Sequence, residues 1–549
     1  MLKWCFFIWK DFDNIKWSCI FVHYKFKDIS IMEKERIPII YPLALPVTMC
    51  PDKEVYVNPT PGEFPMMGCG TPNEVQYFTE DVLKLFKELG MNLAQNILDY
   101  KEDCVNKREG AIFDSLKNAK AVGIKLMLRI CNPKYEIPTR GALQTNEMWE
   151  LTLKNAVKVV VPSYSEGRWN PELYKCWETM IERIYAPKTA SNGTNDLTDY
   201  SEQIGGLMLK DEPTLTLFWI LGECKNRIND VFERLNVKKR PFFYVNLFKD
   251  DFTKKNAGTN LSGNLDIVPN RILGGFEELT DYDSYVDQFT RVFNPPCLSF
   301  DAYPEDFRNN TTRNYTIDFY NSLIAMSKRA MNENLPFWST VLTSSQSDGA
   351  TIISIISLHS LRFQAYNAIA FGAQGLSFWR IGQGKETKDG VPTFPDAPIS
   401  LDGKKTNTFN LVKKLTDQIK KYKHVFLGAN VTYLKFSKTP PYTVKADKTI
   451  GIDESYIANN SVLANIHIDE QDVGILVSRM QNGTKWYTMI VNQNIVGYQT
   501  LKLRFMRSVL DVTNNSKPIK ASPNVETIIL EPGDWRIFED NNSVISPIG

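Results

Sequence analysis

The strongest constraint on the fold is a series of eight short apolar runs that read as buried strands, most of them followed by a stretch of helical periodicity. Helical crossovers between consecutive strands make those strands parallel. The strand candidates are residues 65–70, 91–97, 125–130, the run opening at Ile204, 241–248, 297–304, 336–343 and 375–381. Helical periods fall at 80–89, with Thr79 as cap, and at 111–121, 316–331, 352–371 and 410–425. Two more, at 148–161 and 171–185, sit inside a long insertion over 131–203, the size of loop that shapes a binding cleft. Eight such units predict an α/β chain with a (β/α)8 TIM barrel over residues 51–429. A doubly wound open sheet is the alternative, but no GxGxxG or phosphate loop follows the first strand.

Beyond residue 430 the helical period stops. Alternating or apolar runs at 473–478, 485–491, 499–505 and 526–530 predict a C-terminal all-β sandwich over 430–549, packed on the barrel. Residues 531–536 read as a tight turn before a last strand.

The fourth strand carries the most chemistry. Its apolar run, opened by Gly205 and Gly206, changes abruptly into Lys210, Asp211, Glu212 and Pro213, and the proline forbids continuation. Two carboxylates at the C-terminal mouth of a barrel strand stand where such barrels keep their active sites. The same residues also suit a helix N-terminus before Leu215.

Polar residues recur at the ends of other strands, at Asn96, Arg129, Asn246, Asp301, Tyr303, Trp379 and Arg380, and together describe a lined pocket. Paired carboxylates suit glycosidic bond cleavage, with one donating a proton to the leaving oxygen and the other serving the anomeric centre or its water. Glu212 is the candidate acid, raised by its neighbour Asp211, and Asp301 the candidate base or nucleophile. Asp301 reads equally as a cap of the turn at Tyr303 and Pro304. Tyr303, Trp338 and Trp379 offer stacking surfaces for a carbohydrate; Asn96, Arg129, Asn246 and Arg380 offer hydrogen bonds, with Asp211 beside them.

Composition removes other classes. A net charge of +1 gives no basic excess for nucleic acid. Only 4 histidines occur, and His359 alone falls within the span of the eight strands, which disfavours histidine-based triads and metal centres. The 9 cysteines form no CxxC pair, so no metal and no cofactor are expected. No run approaches the roughly 20 apolar residues of a transmembrane helix. Residues 1–50 read as an N-terminal extension or export segment. From Met32 a charged stretch and a short apolar run lead to Cys50, a candidate lipid anchor, although Met49 stands where a small residue is expected. That segment points to a periplasmic, cell-surface or secreted protein rather than a cytoplasmic one.

With these motifs, residues 60–430 resemble the retaining glycoside hydrolases of the TIM-barrel clan that includes β-galactosidases, especially glycosidase-like proteins with an Asp-Glu-Pro motif. The resemblance rests on Asp211-Glu212-Pro213, on Val245-Asn246-Leu247-Phe248 and on Phe300-Asp301-Ala302-Tyr303-Pro304. It implies that Glu212 is the acid/base residue and that a β-sandwich follows the barrel. It also implies a glutamate nucleophile at the end of strand seven, where this chain reads Ser339-Thr340-Val341-Leu342-Thr343 and has no carboxylate before Asp348. Either Asp301 or Asp348 takes that role, or an activated water attacks with inversion, or the barrel binds glycan without cleaving it. A non-glycan barrel enzyme, such as a metal-dependent hydrolase, is the remaining class.

Overall fold

The computed structural model describes residues 58–72, 77–96, 110–129, 171–186, 198–213, 215–249, 282–306, 314–315, 317–347, 352–354, 356–436, 463–468, 474–521 and 523–540. All belong to one compact unit, Tyr41–Gly549. Cys50 and the export segment, the helix expected at 148–161 and Asp348 lie outside the described residues.

Strands and helices alternate through β1 (Met66–Cys69), α1 (Glu80–Glu88), β2 (Leu93–Gln95), α2 (Ala111–Val122), β3 (Lys125–Arg129), α3 (Pro171–Tyr185), β4 (Ile204–Asp211) and α4 (Leu215–Arg234). They continue with β5 (Phe242–Asn246), α5 (Tyr282–Phe293), β6 (Leu298–Asp301), α6 (Ile317–Asn332), β7 (Phe337–Leu342), α7 (Leu358–Ala370), β8 (Gly375–Trp379) and α8 (Asn407–Phe426). The sheet order is β5-β4-β3-β2-β1-β8-β7-β6, and the pairs are parallel. Leu247, just past β5, closes the ring onto β6. Its N–H donates to Ser299 O at 2.8 Å, and Asp301 N donates to Leu247 O at 3.3 Å. This is a (β/α)8 barrel, with all eight C-terminal strand ends at one rim.

Local chemistry sets the helix starts. Thr79 caps α1 by accepting from Val82 N at 3.3 Å, with Glu80 and Asp81 in the first turn. The helix expected from residue 352 begins only at Leu358. Ile352–Ser354 instead pairs antiparallel with Gln346–Ser347, since its β-branched residues favour extended backbone. Ser357, itself extended, then accepts from Ser360 N at 3.1 Å and starts the helix there.

The C-terminal part holds two antiparallel sheets. Its strands are β9 (Asn430–Phe436), β10 (Leu463–Ile468), β11 (Ile475–Asn482), β12 (Lys485–Asn492), β13 (Gln499–Phe505), β14 (Val509–Asp511), β15 (Lys517–Ile519), β16 (Val525–Leu530) and β17 (Trp535–Asp540). One sheet runs β9-β11-β12-β17-β14-β15 and the other β10-β13-β16. Val477, Ile490, Leu501, Leu503 and Phe538 pack in the core they share, so the β-sandwich follows the barrel.

Helix α7 joins the two parts. It is buried on every face from Ser360 to Ala370, because barrel lies on one side and sandwich on the other. Tyr366 stacks on Trp535 with ring centroids 3.7 Å apart and planes 8° from parallel. Arg362 pairs with Glu531 at 2.7 Å, and Gln493 Nε2 donates to Asn367 Oδ1 at 3.0 Å. The turn before β17 comes so close to α7 that a Cβ on Gly533, whose φ is +65°, would sit 2.4 Å from His359 O. A double-mutant cycle on Tyr366→Leu and Trp535→Leu, read by chemical denaturation, is expected to show a coupling of about 0.5–1.5 kcal/mol. Additive losses would mean that the stack contributes nothing beyond buried area.

Candidate active site

The C-terminal strand ends open into a hollow of about 260 Å³, just under the roughly 300–1,000 Å³ usual for ligand sites. Every strand lines it. Cys69 comes from β1, Gln95 from β2, Arg129 from β3, and Met208, Asp211 and Glu212 from β4 and its end. Tyr244 and Asn246 come from β5, Asp301 and Tyr303 from β6 and the turn after it, Thr340 and Gln346 from β7 and the hairpin beyond, and Ser377 and Trp379 from β8.

Strict alternation along β4 would send Asp211 to the face opposite Met208. A register shift prevents this. Met208 pairs with Tyr244, but Lys210 pairs with Val245, so the bulge inserts one extra residue and turns Asp211 inward. Glu212 follows with a left-handed φ of +46°, strained for a residue with a side chain. Its N–H donates to Asn246 O at 2.8 Å and anchors that turn. Asn246 in turn ties the wall together. Its Nδ2 donates to Asp211 Oδ1 at 3.0 Å, and its Oδ1 accepts from Ser299 Oγ at 3.2 Å.

Seven of the ten residues singled out in the sequence therefore line one hollow: Asp211, Glu212, Asp301, Arg129, Asn246, Tyr303 and Trp379. Three do not. Trp338 is no stacking platform, because it lies two residues, or about 7 Å, below Thr340 on the inward face of β7. There it packs against Phe242 and Tyr244 at 5.4 and 5.8 Å. Asn96 is buried off the hollow, accepting from Thr71 Oγ1 at 3.5 Å, because the pleat presents Gln95 instead. Arg380 is wholly buried beside the hollow, donating Nε to Gly382 O at 2.7 Å with its guanidinium near the Phe394 ring. Cys69, Gln95, Met208, Tyr244, Thr340, Gln346 and Ser377 escaped the sequence reading. Period-two spacing points to three of them, since Tyr244, Thr340 and Ser377 stand two residues from Asn246, Trp338 and Trp379.

Neither a protein-family profile nor a curated protein matches the sequence. Solved structures do resemble it. A catalytic mutant of Gan42B, a GH42 β-galactosidase from G. stearothermophilus, is 10% identical, with 89% of this chain and 100% of that one covered and a TM-score of 0.47. A β-galactosidase from Bacillus circulans sp. alkalophilus is 12% identical over 87% of this chain and 99% of that one, with a TM-score of 0.46. The α-amylase from Geobacillus thermoleovorans, complexed with acarbose, is 9% identical over 88% and 99%, with a TM-score of 0.45. Strand order and the closure of the ring at Leu247 define the barrel.

Electrostatics separate the carboxyls. Asp301 is held well above the ordinary carboxylate range, first by burial and then by the charges of Glu212 and Asp211, while a hydrogen bond from Asn246 offsets part of the rise. Its Oδ1 is shut off from solvent and accepts no hydrogen bond among the described residues. Glu212 is exposed to the hollow. The like-charge repulsion expected between Asp211 and Glu212 is felt at Asp301, where burial is the larger cause. Burial likewise pushes the Cys69 thiol up to about 12, which leaves it protonated and a poor nucleophile. Tyr303 is raised by burial and by Asp301, so its phenol stays neutral. Among the described residues no three His, Cys, Asp or Glu side chains gather to hold a metal ion, and no helix is long and apolar enough to cross a membrane.

Proposed function

We propose that this hollow hydrolyses glycosidic bonds in an oligo- or polysaccharide, with Glu212 and Asp301 as its carboxyl pair. The observation that carries the reading is the unequal environment of two carboxyls lining one hollow, Asp301 shielded and raised, Glu212 open to solvent. Such a pair divides acid from base at one pH. The roles expected from the sequence, where Glu212 is the acid, are thereby exchanged: Asp301 holds the proton and gives it to the glycosidic oxygen as the bond breaks. Glu212, open to the hollow, serves the anomeric carbon, directly or through water. Asp211 and Asn246 fix the local geometry, Arg129 binds hydroxyls, and Tyr303 and Trp379 flank the ring. The reaction requires on the order of 20 kcal/mol of transition-state stabilisation, so both carboxyls are indispensable.

The test is a panel of aryl glycosides and plant or host glycans offered to the wild type and to the Glu212→Gln/Asp301→Asn double variant. Turnover by the wild type alone supports the reading. A second reading, glycan binding without cleavage, is favoured by the lining from β7 and the hairpin after it, where Thr340 and Gln346 stand and, among the described residues, no carboxylate does. Binding without turnover by the wild type would establish it. Trp379 meets Phe394 edge-on at 6.0 Å and lines the hollow. Trp379→Ala is expected to raise KM roughly 2- to 12-fold, the equivalent of about 0.5–1.5 kcal/mol of ring contact, with kcat little changed. An unchanged KM would remove the ring from substrate binding.

A further inference from the structure

We propose that Gln346 reads an uncharged substituent of the sugar and that Asp396 is the positioning residue that aims it, an inference that rests on the glycosidase reading above. The hollow is divided by charge. Arg129, Asp211, Glu212 and Asp301 all stand on β3, β4 and β6, whereas β7, β8 and the hairpin after β7 contribute Thr340, Gln346, Ser377 and Trp379. Within that uncharged wall Ser377 is engaged with Cys69 at 3.1 Å. The amide of Gln346 makes no hydrogen bond among the described residues, which leaves donors and an acceptor turned to the hollow. A hydroxyl or an N-acyl group matches both. Among the described residues no Lys or Arg of this wall lines the hollow to meet a carboxylate or sulfate.

The residues around Gln346 are clamped by the segment between β8 and α8. Asp396 accepts from Ser345 N at 2.6 Å, from Ser345 Oγ at 2.7 Å and from Ser344 Oγ at 3.3 Å. Ser345 Oγ also accepts from Ile356 N at 3.1 Å, and Ser347 N donates to Thr393 O at 3.0 Å. The backbone is therefore held on both sides of Gln346 while its side chain stays open to a ligand. A recognition group needs that kind of support to act at a fixed distance.

The experiment uses the 4-nitrophenyl hexoside that the wild type cleaves fastest, together with its monodeoxy analogues. Gln346→Ala is expected to lower kcat/KM on the parent roughly 2- to 12-fold, mainly through KM. On the one analogue lacking the contacted group it should cause no further loss. Asp396→Ala should show the same insensitivity to that analogue, whereas a merely structural role would lower all substrates alike. Equal losses on every analogue overturn the contact for Gln346, and overturn the positioning role for Asp396. If the wild type cleaves neither these sugars nor any glycan of the wider panel, the glycosidase reading fails. Saturation-transfer NMR of the same sugars on wild type and Gln346→Ala then decides the contact, and unchanged signals overturn it.

Discussion

Glu212→Gln is expected to lower kcat/KM on any glycoside the wild type cleaves by roughly 10²–10⁴-fold. The fold should not notice. Glu212 is exposed, and the hydrogen bond that holds its turn is made by its backbone N–H to Asn246 O, so a neutral side chain of the same shape leaves that turn intact. A second signature follows from the charge of Glu212. That charge is one cause of the raised Asp301, so removing it lets Asp301 lose its proton at a lower pH. Whatever activity survives should fall off earlier on the alkaline side. Thermal unfolding and a pH–rate profile check both statements, and unchanged activity would take Glu212 out of the chemistry.

Asp301→Asn is expected to lose activity by a similar roughly 10²–10⁴-fold, yet to gain stability at neutral and higher pH. The sign follows from linkage. An unfolded chain releases the aspartic proton near about 3.9, whereas the folded protein keeps it to a pH well above that. Between those limits the folded state binds more protons, so wild-type stability falls as pH rises through the window. Asparagine has no proton to lose. The midpoints of variant and wild type should therefore lie close near pH 4 and separate, with the variant higher, as pH climbs to 8. Parallel curves would mean that Asp301 titrates normally. A catalytic group that weakens its own fold is a familiar cost of function.

The eight apolar runs mark all eight barrel strands, because buried parallel strands are continuous apolar segments punctuated by Gly and Pro, whereas α4 and α5 have no counterpart among the helical periods legible in the sequence. Which strand-end residues face the hollow was harder to read. Parity decides it for Gln95 over Asn96 and for Trp379 over Arg380, but parity is visible only once the strand's register is known. On β4 parity alone misleads. The bulge between Met208 and Lys210 has no sequence mark, and without it Asp211 would face away. The start of helix α7 is ambiguous in the sequence because Ile352 and Ile353 fit an apolar helical face as well as a strand, and only the Ser357 cap separates the two. The unequal burial of Glu212 and Asp301 depends on packing around the rim, which no local pattern encodes.

Azide rescue tests the central claim most directly. Glu212→Ala, given an activated aryl glycoside and sodium azide, should recover turnover and yield a glycosyl azide of inverted configuration, because the anion takes the place of the missing carboxylate at the anomeric carbon. A glycosyl azide of retained configuration would contradict the account, since it would make Glu212 the proton donor and assign the carboxylate's role to another residue.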